Sequence, residues 1–136
     1  MTEILTSLQI ECSTNKSASS LHHSVHYERK FAMVLHVMKY DIHPDKREAY
    51  LKWTEGAIKR SLSVPGVVEF RAYRPIAGSS QIVSTWEFAD IAVWAAWNSH
   101  EENQKLVAEL HTLCINVSIE VWGPTPVVPA PIRPGK

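Results

Sequence analysis

A histidine inside a hydrophobic segment is the first residue of this sequence that could do chemistry. His36 lies within residues 31–42, a run rich in Val, Leu, Met and Phe. An imidazole there is costly unless both of its nitrogens are satisfied. If the ring faces a cleft, it could act as a general base near neutral pH. The alternative is a hydrogen-bonded histidine of the core or of an interface.

Tryptophans provide the second chemical feature. Trp94 and Trp97 are three residues apart, so they share one face of a predicted helix. With Trp53 and Trp86 they could wall an aromatic slot of the kind that small-molecule pockets favour. Aromatic residues at this spacing also serve as core residues. Both interpretations stay open from the spacing alone.

The remaining histidines give weaker signals. His100 lies in the first turn of a predicted helix, where it is either solvated or touches a ligand through the helix N-terminus. His111 either reaches the cleft or covers the end of the same helix. His22 and His26 would align on a helix, but no carboxylate or thiol nearby completes the four ligands of structural zinc. We therefore predict no metal site.

Length and composition restrict the function further. The chain has 136 residues, consistent with one domain, and 14 Lys and Arg balance 14 Asp and Glu, which argues against nucleic-acid or anionic-lipid partners. No apolar run reaches the roughly 18 residues that span a bilayer. No nucleotide-binding or hydrolase motif occurs. Two distant cysteines and no visible secretory signal favour a cytoplasmic protein without a disulfide framework.

Periodicity predicts the elements that must position these residues. Residues 31–42 form a strand, and a Pro-Asp pair at 44–45 opens an amphipathic helix that a Pro-Gly turn at 65–66 ends. Residues 66–74 and 81–88 pair as antiparallel strands. Asp90 opens a helical stretch, and Ser99 caps a second helix in a capping-box pattern. Residues 115–122 form a last strand with one face made of Ile115, Val117, Ile119 and Val121.

The order βαββαβ predicts an α+β, ferredoxin-like domain over residues 31–122, with helices on one face of an antiparallel sheet. Strand two directs Val68, Phe70 and Ala72 to one side. The opposite face is mixed, with Glu69, Arg71, Thr85 and Glu87, which suits a homodimer. Residues 1–30 and the proline-rich residues 123–136 are predicted tails. We place the cleft between the sheet and residues 94–111, lined by His36, Trp86, Trp94, Trp97 and Asn98.

Several segments resemble the antibiotic biosynthesis monooxygenase (ABM) family. Residues 43–50 (HPDKREAY) are similar to its helix entry, and 65–71 (PGVVEFR) to its Pro-Gly turn and the following strand. Residues 84–87 (STWE) resemble its third strand, and 97–100 (WNSH) resemble the break between its two short helices. The resemblance covers residues 31–122 and implies a dimeric α+β barrel of two ferredoxin-like units.

The resemblance also implies an activity. The best-known members oxidise an aromatic or polyketide-like substrate with O₂ without a metal or flavin, so no cofactor is expected. Trp97 and Asn98 stand at the helix break and match the family's Trp and Asn best, and Tyr40 or Tyr73 are available counterparts of its Tyr. We predict catalytic roles for His36, Trp97 and Asn98, and contacts with a small aromatic substrate for Trp86, Trp94, His100 and His111.

Two alternatives remain on the sequence alone. A non-catalytic small-molecule-binding or structural dimer of the same fold competes with the oxygenase, because no complete family constellation can be assigned. A heme-degrading monooxygenase is less favoured. That branch uses an Asn on its first strand, and residues 31–42 contain none.

Overall fold

The computed structural model describes residues 33–135. In this part of the chain, the strands are β1 (Val34–Ile42), β2 (Val67–Tyr73), β3 (Ile82–Phe88) and β4 (Cys114–Trp122). The helices are α1 (Arg47–Ser63), preceded by a 3₁₀ turn at Pro44–Lys46, α2 (Ile91–Ser99) and α3 (Glu101–Leu113). None of these helices is long and apolar enough to cross a membrane.

The predicted tails are only partly covered by this description. Residues 123–135 form turns and bends without a helix or strand, and most of them are exposed. The predicted N-terminal tail, including His22 and His26, lies outside the described residues.

The four strands form one sheet in the order β2-β3-β1-β4. β1 pairs antiparallel with both β3 and β4, and β2 pairs antiparallel with β3. The central strand β1 turns His36, Met38 and Tyr40 toward the helices, because side chains alternate along a strand. We call the opposite side of the sheet, with Leu35, Val37 and Lys39, the outer face. This topology confirms the predicted α+β, ferredoxin-like arrangement.

The core lies between the sheet and the helices. Phe88 is fully buried, and around it pack side chains from all three helices and the sheet. The buried members of this cluster are Met38, Tyr40, Tyr50, Val64, Trp86, Phe88, Trp97, Leu110 and Cys114. Aromatic rings supply much of its volume, so the core is stabilised mainly by apolar burial.

A bulge in β2 changes which residue enters the core. The register with β3 shifts between Val67 and Glu69, and Val67 lies opposite the buried Phe88. Val68 is 62% exposed. The prediction that Val68 shares one side of the strand with Phe70 and Ala72 is therefore wrong, because one extra residue reverses the side-chain alternation.

A second irregularity divides β4. The register with β1 shifts between Lys39 and Asp41, and Asn116 has a positive φ of 58°. Ile115 lies opposite Asp41 on the outer face, whereas Ile119 lies opposite Met38 on the helix side. The prediction that Ile115 shares a face with Ile119 is wrong for the same physical reason.

The caps of α2 and α3 differ in how well the sequence indicates them. The Asp90 carboxylate accepts a hydrogen bond from the Val93 backbone N–H at 2.9 Å, as a good N-cap does. At α3 the cap is His100, whose Nδ1 accepts from the Glu102 N–H at 3.1 Å. The Ser99 hydroxyl instead donates to the Ala96 carbonyl, so the prediction that Ser99 is the N-cap is wrong.

Candidate functional site

A cavity of about 320 Å³ lies between the helix side of the sheet and the helices. Within the described residues its lining contains no Asp, Glu, Lys or Arg. Aromatic and aliphatic side chains make most of the wall, and a few polar groups interrupt it, which is the usual composition of a small-molecule pocket. The polar or aromatic members are His36, Tyr40, Tyr50, Trp53, Thr54, Ser61, Phe70, Tyr73, Ser84, Trp86, Trp97, Asn98 and Asn103.

His36 is enclosed by three indole rings at one end of this cavity. The centroid of its ring lies 5.4 Å from that of Trp86, 6.3 Å from that of Trp94 and 5.1 Å from that of Trp97. Only 2% of the residue is exposed. Burial lowers the pKa of His36 to about 4, because the charged ring would lose its hydration. The imidazole is therefore neutral at physiological pH.

One hydrogen bond fixes the tautomer of that neutral ring. The indole Nε1–H of Trp94 donates to His36 Nδ1 at 3.0 Å. Nδ1 must then be the unprotonated nitrogen, so the ring carries its hydrogen on Nε2. The acceptor nitrogen of His36, Nδ1, is therefore occupied, and the Nε2–H group is left as a hydrogen-bond donor.

The two other indoles are held by the last turns of α1. Trp86 donates from Nε1 to the Ser61 hydroxyl at 3.2 Å, and Trp97 donates to the Ser61 backbone carbonyl at 3.1 Å. Both indole N–H groups are thus satisfied without a ligand. Their rings serve as fixed apolar walls beside His36.

Two asparagines define the junction of α2 and α3. Asn103 is 4% exposed, and its side-chain amide donates to the Trp97 carbonyl at 2.7 Å. This bond satisfies a carbonyl at the end of α2. Asn98 also lines the cavity, and within residues 33–135 no hydrogen bond uses its side-chain amide. Its amide is therefore available to a ligand.

Tyr40, farther along β1, is paired with Tyr50 of α1. The hydroxyls of Tyr40 and Tyr50 are 2.7 Å apart, and both residues line the cavity with 5% exposure. Burial raises the pKa of Tyr40 well above its ordinary value, and the Tyr50 hydroxyl adds to this effect. The Tyr40 phenol is therefore a neutral hydrogen-bonding group.

Ion pairs join α1 to α3, the two helices that border the cavity. The guanidinium of Arg60 binds Glu102 and, at 2.9 Å, Glu109. Trp53 donates from Nε1 to the same Glu109 carboxylate at 2.7 Å. These contacts hold the pKa of Glu109 below its usual range, first through Arg60 and then through Trp53. They fix the spacing of the two helices over the sheet.

The structure brings together four of the seven predicted site residues in the lining, namely His36, Trp86, Trp97 and Asn98. Trp94 is not part of the lining and acts through its bond to His36. His100 and His111 are exposed and lie outside the lining. His100 uses its ring as a helix cap, which explains its presence there without a ligand.

Of α1, sequence reasoning named Trp53, which does line the cavity, and missed the rest of the helix's contribution to the site. Tyr50, Thr54, Ala57, Ile58 and Ser61 recur at steps of three and four residues and line one wall. This spacing is the signal of an amphipathic helix. It does not distinguish a face buried in the core from one that borders a cavity.

A comparison of the sequence with models of known protein families identifies the family of this chain. The antibiotic biosynthesis monooxygenase model matches residues 33–109, which is more than half of the chain. The chain belongs to this family. A search of curated protein sequences finds no match. In residues 33–135 no cluster of three or more His, Cys, Asp or Glu side chains could hold a metal ion.

Solved structures with the same fold include proteins of different activities. SnoaB, a cofactor-independent oxygenase from Streptomyces nogalater, is 13% identical, with a TM-score of 0.58 over 73% of this chain and 99% of its own. The hydroxynitrile lyase of Passiflora edulis is 8% identical, with a TM-score of 0.61 over 69% of this chain and 94% of its own. A conserved protein from Methanosarcina mazei Go1 is 13% identical, with a TM-score of 0.60 over 71% and 97%. At these identities the ABM fold is shared, but an activity does not follow from it.

Proposed function

We propose that this ABM-family chain is a cofactor-independent oxygenase of a small, flat phenolic or enolic compound. The observation that carries the proposal is the uncharged, aromatic-walled cavity with a buried neutral histidine at one end. Such a cavity removes water from an electron-rich ring system and holds it by its faces. The structural similarity to SnoaB, a cofactor-independent oxygenase, supports the same class of reaction.

The proposed reaction needs no external electron donor. A ring methylene flanked by activating groups loses a proton, and the resulting carbanion reacts with O₂. One oxygen atom becomes a new carbonyl and the other leaves as water, so that R₂CH₂ and O₂ give R₂C=O and H₂O. The substrate supplies all four electrons, and the protein binds, orients and desolvates it.

Within this reaction we assign His36 the role of a hydrogen-bond donor. Its Nδ1 is occupied by the Trp94 indole N–H, so it lacks a free basic nitrogen. Nε2–H can stabilise the oxyanion of a phenolate or enolate, a contribution that grows where water is excluded. Asn98, which also lines the cavity, offers a second donor. This role replaces the general-base role expected from the sequence.

The proposed site offers hydrogen-bond donors but no general base. The lining described above has no carboxylate, and burial keeps Tyr40 protonated. Compounds that lose their proton easily are therefore the best substrates. We expect kcat/KM to rise with pH along the ionisation of the substrate, and the midpoint to move when a more acidic analogue is used.

We also propose that the chain acts as a homodimer. The outer face carries charged and aromatic groups, with Lys39, Glu120 and Trp122 in contact with one another. Faces of mixed polarity are typical of interfaces between soluble subunits. A solved structure with this fold from Bacteroides fragilis NCTC 9343 is described as a dimeric protein.

Oxygen uptake with a panel of anthrones and hydroquinones tests the activity. We expect consumption with at least one compound, and a loss of turnover of roughly two orders of magnitude in His36→Ala, comparable to the loss of one oxyanion donor. His36→Gln keeps an amide donor near the position of Nε2, whereas His36→Asn keeps an acceptor near Nδ1 for Trp94. If His36 is a donor, the Gln variant retains more activity than the Asn variant.

The competing function gives a different result in the same assay. A non-catalytic binding protein would bind members of the panel, detected by quenching of tryptophan fluorescence, without any oxygen uptake above the uncatalysed rate. Equal losses in His36→Gln and His36→Asn would contradict the donor role while leaving an oxygenase in place.

A further inference from the structure

The tyrosine pair occupies a distinct position in the cavity. Tyr40 is four residues after His36 on β1 and faces the same side of the sheet. Four residues of extended strand span about 13 Å. Met38 lies between the two positions on the strand, opposite Ser84 of β3, and both residues line the cavity. The cavity therefore has polar groups toward two separated ends.

The hydrogen count of the pair leaves a donor unused. Two hydroxyls carry two hydrogens, and the 2.7 Å contact between them consumes one. The Ser84 hydroxyl, which also lines the cavity, lies beside the Tyr40 hydroxyl. Whichever of these two donates, the three hydroxyls carry three hydrogens and share two contacts, and no other hydrogen bond of the tyrosine hydroxyls is formed within residues 33–135. One hydroxyl hydrogen of this group is therefore left to point at a ligand.

The buried tyrosine hydroxyls would lower the folding stability if they served packing alone. A hydroxyl that is buried without a partner costs free energy, and phenylalanine would fill the same volume without that cost. The pair is buried to 5% exposure and borders empty space. A ligand oxygen in the cavity would satisfy the remaining hydrogen.

We propose that Tyr40 and Tyr50 form a second oxygen-binding subsite that anchors the end of the ligand remote from His36. This inference deepens the proposed function, because it concerns the ligand of the same cavity and rests on that assignment. It selects fused-ring aromatic compounds with one oxygen at each end. A volume of about 320 Å³ is at the lower limit of ligand pockets, which favours two or three fused rings over four.

Two matched probes test the subsite by binding alone. Anthracene-2,6-diol has an oxygen at each end, and anthracen-2-ol has one. Both are titrated in oxygen-free buffer and followed by quenching of tryptophan fluorescence. We expect the native protein to bind the diol about 3- to 10-fold more tightly, the range that one additional hydrogen bond supplies.

The double variant Tyr40→Phe/Tyr50→Phe gives the decisive comparison. It removes both hydroxyls together, so that neither is left buried without its partner. We expect the preference for the diol to disappear while the affinity for the mono-alcohol stays unchanged. If the double variant does not fold, Tyr50→Phe alone must still reduce the preference.

Three results would overturn the subsite. They are an equal affinity of the native protein for both probes, a preference that survives in the double variant, and a lack of binding by both probes. Failure of the oxygenase assignment is distinguishable, because the diol preference would then disappear in the variant although no panel compound consumes oxygen.

Discussion

Burial of the His36 ring makes the folding stability depend on pH. Its pKa is lowered to about 4 in the folded protein, against about 6.5 in an unfolded chain. The unfolded chain therefore binds a proton between these values while the folded protein does not. Stability from this group is complete above pH 6.5 and is lost as the pH falls toward 4, by about 3 kcal/mol in total.

Urea denaturation at a series of pH values measures this loss. Carboxylates titrate in part of the same window, so the variant His36→Gln, which cannot be protonated, provides the reference. We expect the native protein to lose more free energy of unfolding than the variant between pH 6.5 and 4. Parallel curves for the two proteins would show that His36 is not the buried neutral ring described above.

Trp94 controls which nitrogen of His36 carries the hydrogen. Its indole N–H donates to Nδ1 at 3.0 Å, which stabilises the neutral ring. In Trp94→Phe the ring stays buried and neutral, and we expect the Nδ1–H tautomer to become populated because the donor to Nδ1 is gone. The ¹⁵N chemical shifts of the imidazole measure this change.

A second tryptophan gives the control for this experiment. Trp53 bonds Glu109 and makes no aromatic contact with His36. Trp53→Phe should leave the tautomer of His36 unchanged. An unaltered tautomer in Trp94→Phe as well would mean that another contact fixes the ring.

At this residue scale the sequence predicts part of the site. His36 stands out because a polar ring in an apolar strand has few explanations, and Trp97 and Asn98 stand out through the family's helix break. The hydrogen bond of Trp94 to His36 joins residues 58 positions apart, and no local pattern encodes it. Tyr50 belongs to a helical stripe whose apolar members look alike whether they border a core or a cavity.

Among the elements, β4 contains the clearest departure from regular geometry. Asn116 adopts a positive φ of 58°, and its side-chain amide donates to the Asp41 carboxylate at 2.9 Å. The same carboxylate accepts from the Gln81 backbone N–H at 2.8 Å. The bulge therefore joins β4 to β1 and to the start of β3 near one end of the cavity.

Two substitutions separate the conformation of Asn116 from its hydrogen bond. Asn116→Gly and Asn116→Ala both lose the bond to Asp41, but only alanine resists a positive φ. We expect the alanine variant to be less stable than the glycine variant by about 1 kcal/mol. Urea denaturation of both proteins measures the difference, and equal stabilities would contradict a strained backbone at this position.

The order of the strands and helices was predictable because the spacing of apolar residues differs clearly between the strand and helix segments of the sequence. Turn residues at 65–66 and the Asp90 cap separate segments whose apolar spacing changes between strand and helix. The bulges at Val68 and Asn116 were not predictable, since a continuous alternation of apolar residues hides an inserted residue. Pairing across the sheet determines them, and this information comes from the partner strand.

At the scale of the whole molecule, the three helices of residues 33–135 pack on one side of the sheet, and none of them covers the outer face. Its groups include an exposed Trp122 at 45% and the ion pair of Lys39 with Glu120 at 3.7 Å. A second sheet placed against this face would bury the indole and shield the ion pair from water. Burial of an aromatic ring is a main source of affinity at such interfaces.

Dimerisation is tested by substitution on this face. Sedimentation equilibrium should give twice the chain mass of 15.4 kDa for the native protein. Trp122 lies opposite Leu35 on the outer face, and Trp122→Glu places a second carboxylate beside Glu120, where an interface would have to bury it. We expect this variant to sediment as a monomer, because burial of an unpaired charge costs several kcal/mol.

A charge change elsewhere supplies the control. Lys59 is an exposed residue of α1, so Lys59→Glu lowers the net charge by two units, one more than Trp122→Glu, without touching the outer face. It should remain a dimer. If the native protein sediments as a monomer at micromolar concentration, the dimer is refuted. If Trp122→Glu stays dimeric, the subunits meet through another surface, and the outer face must be covered in another way.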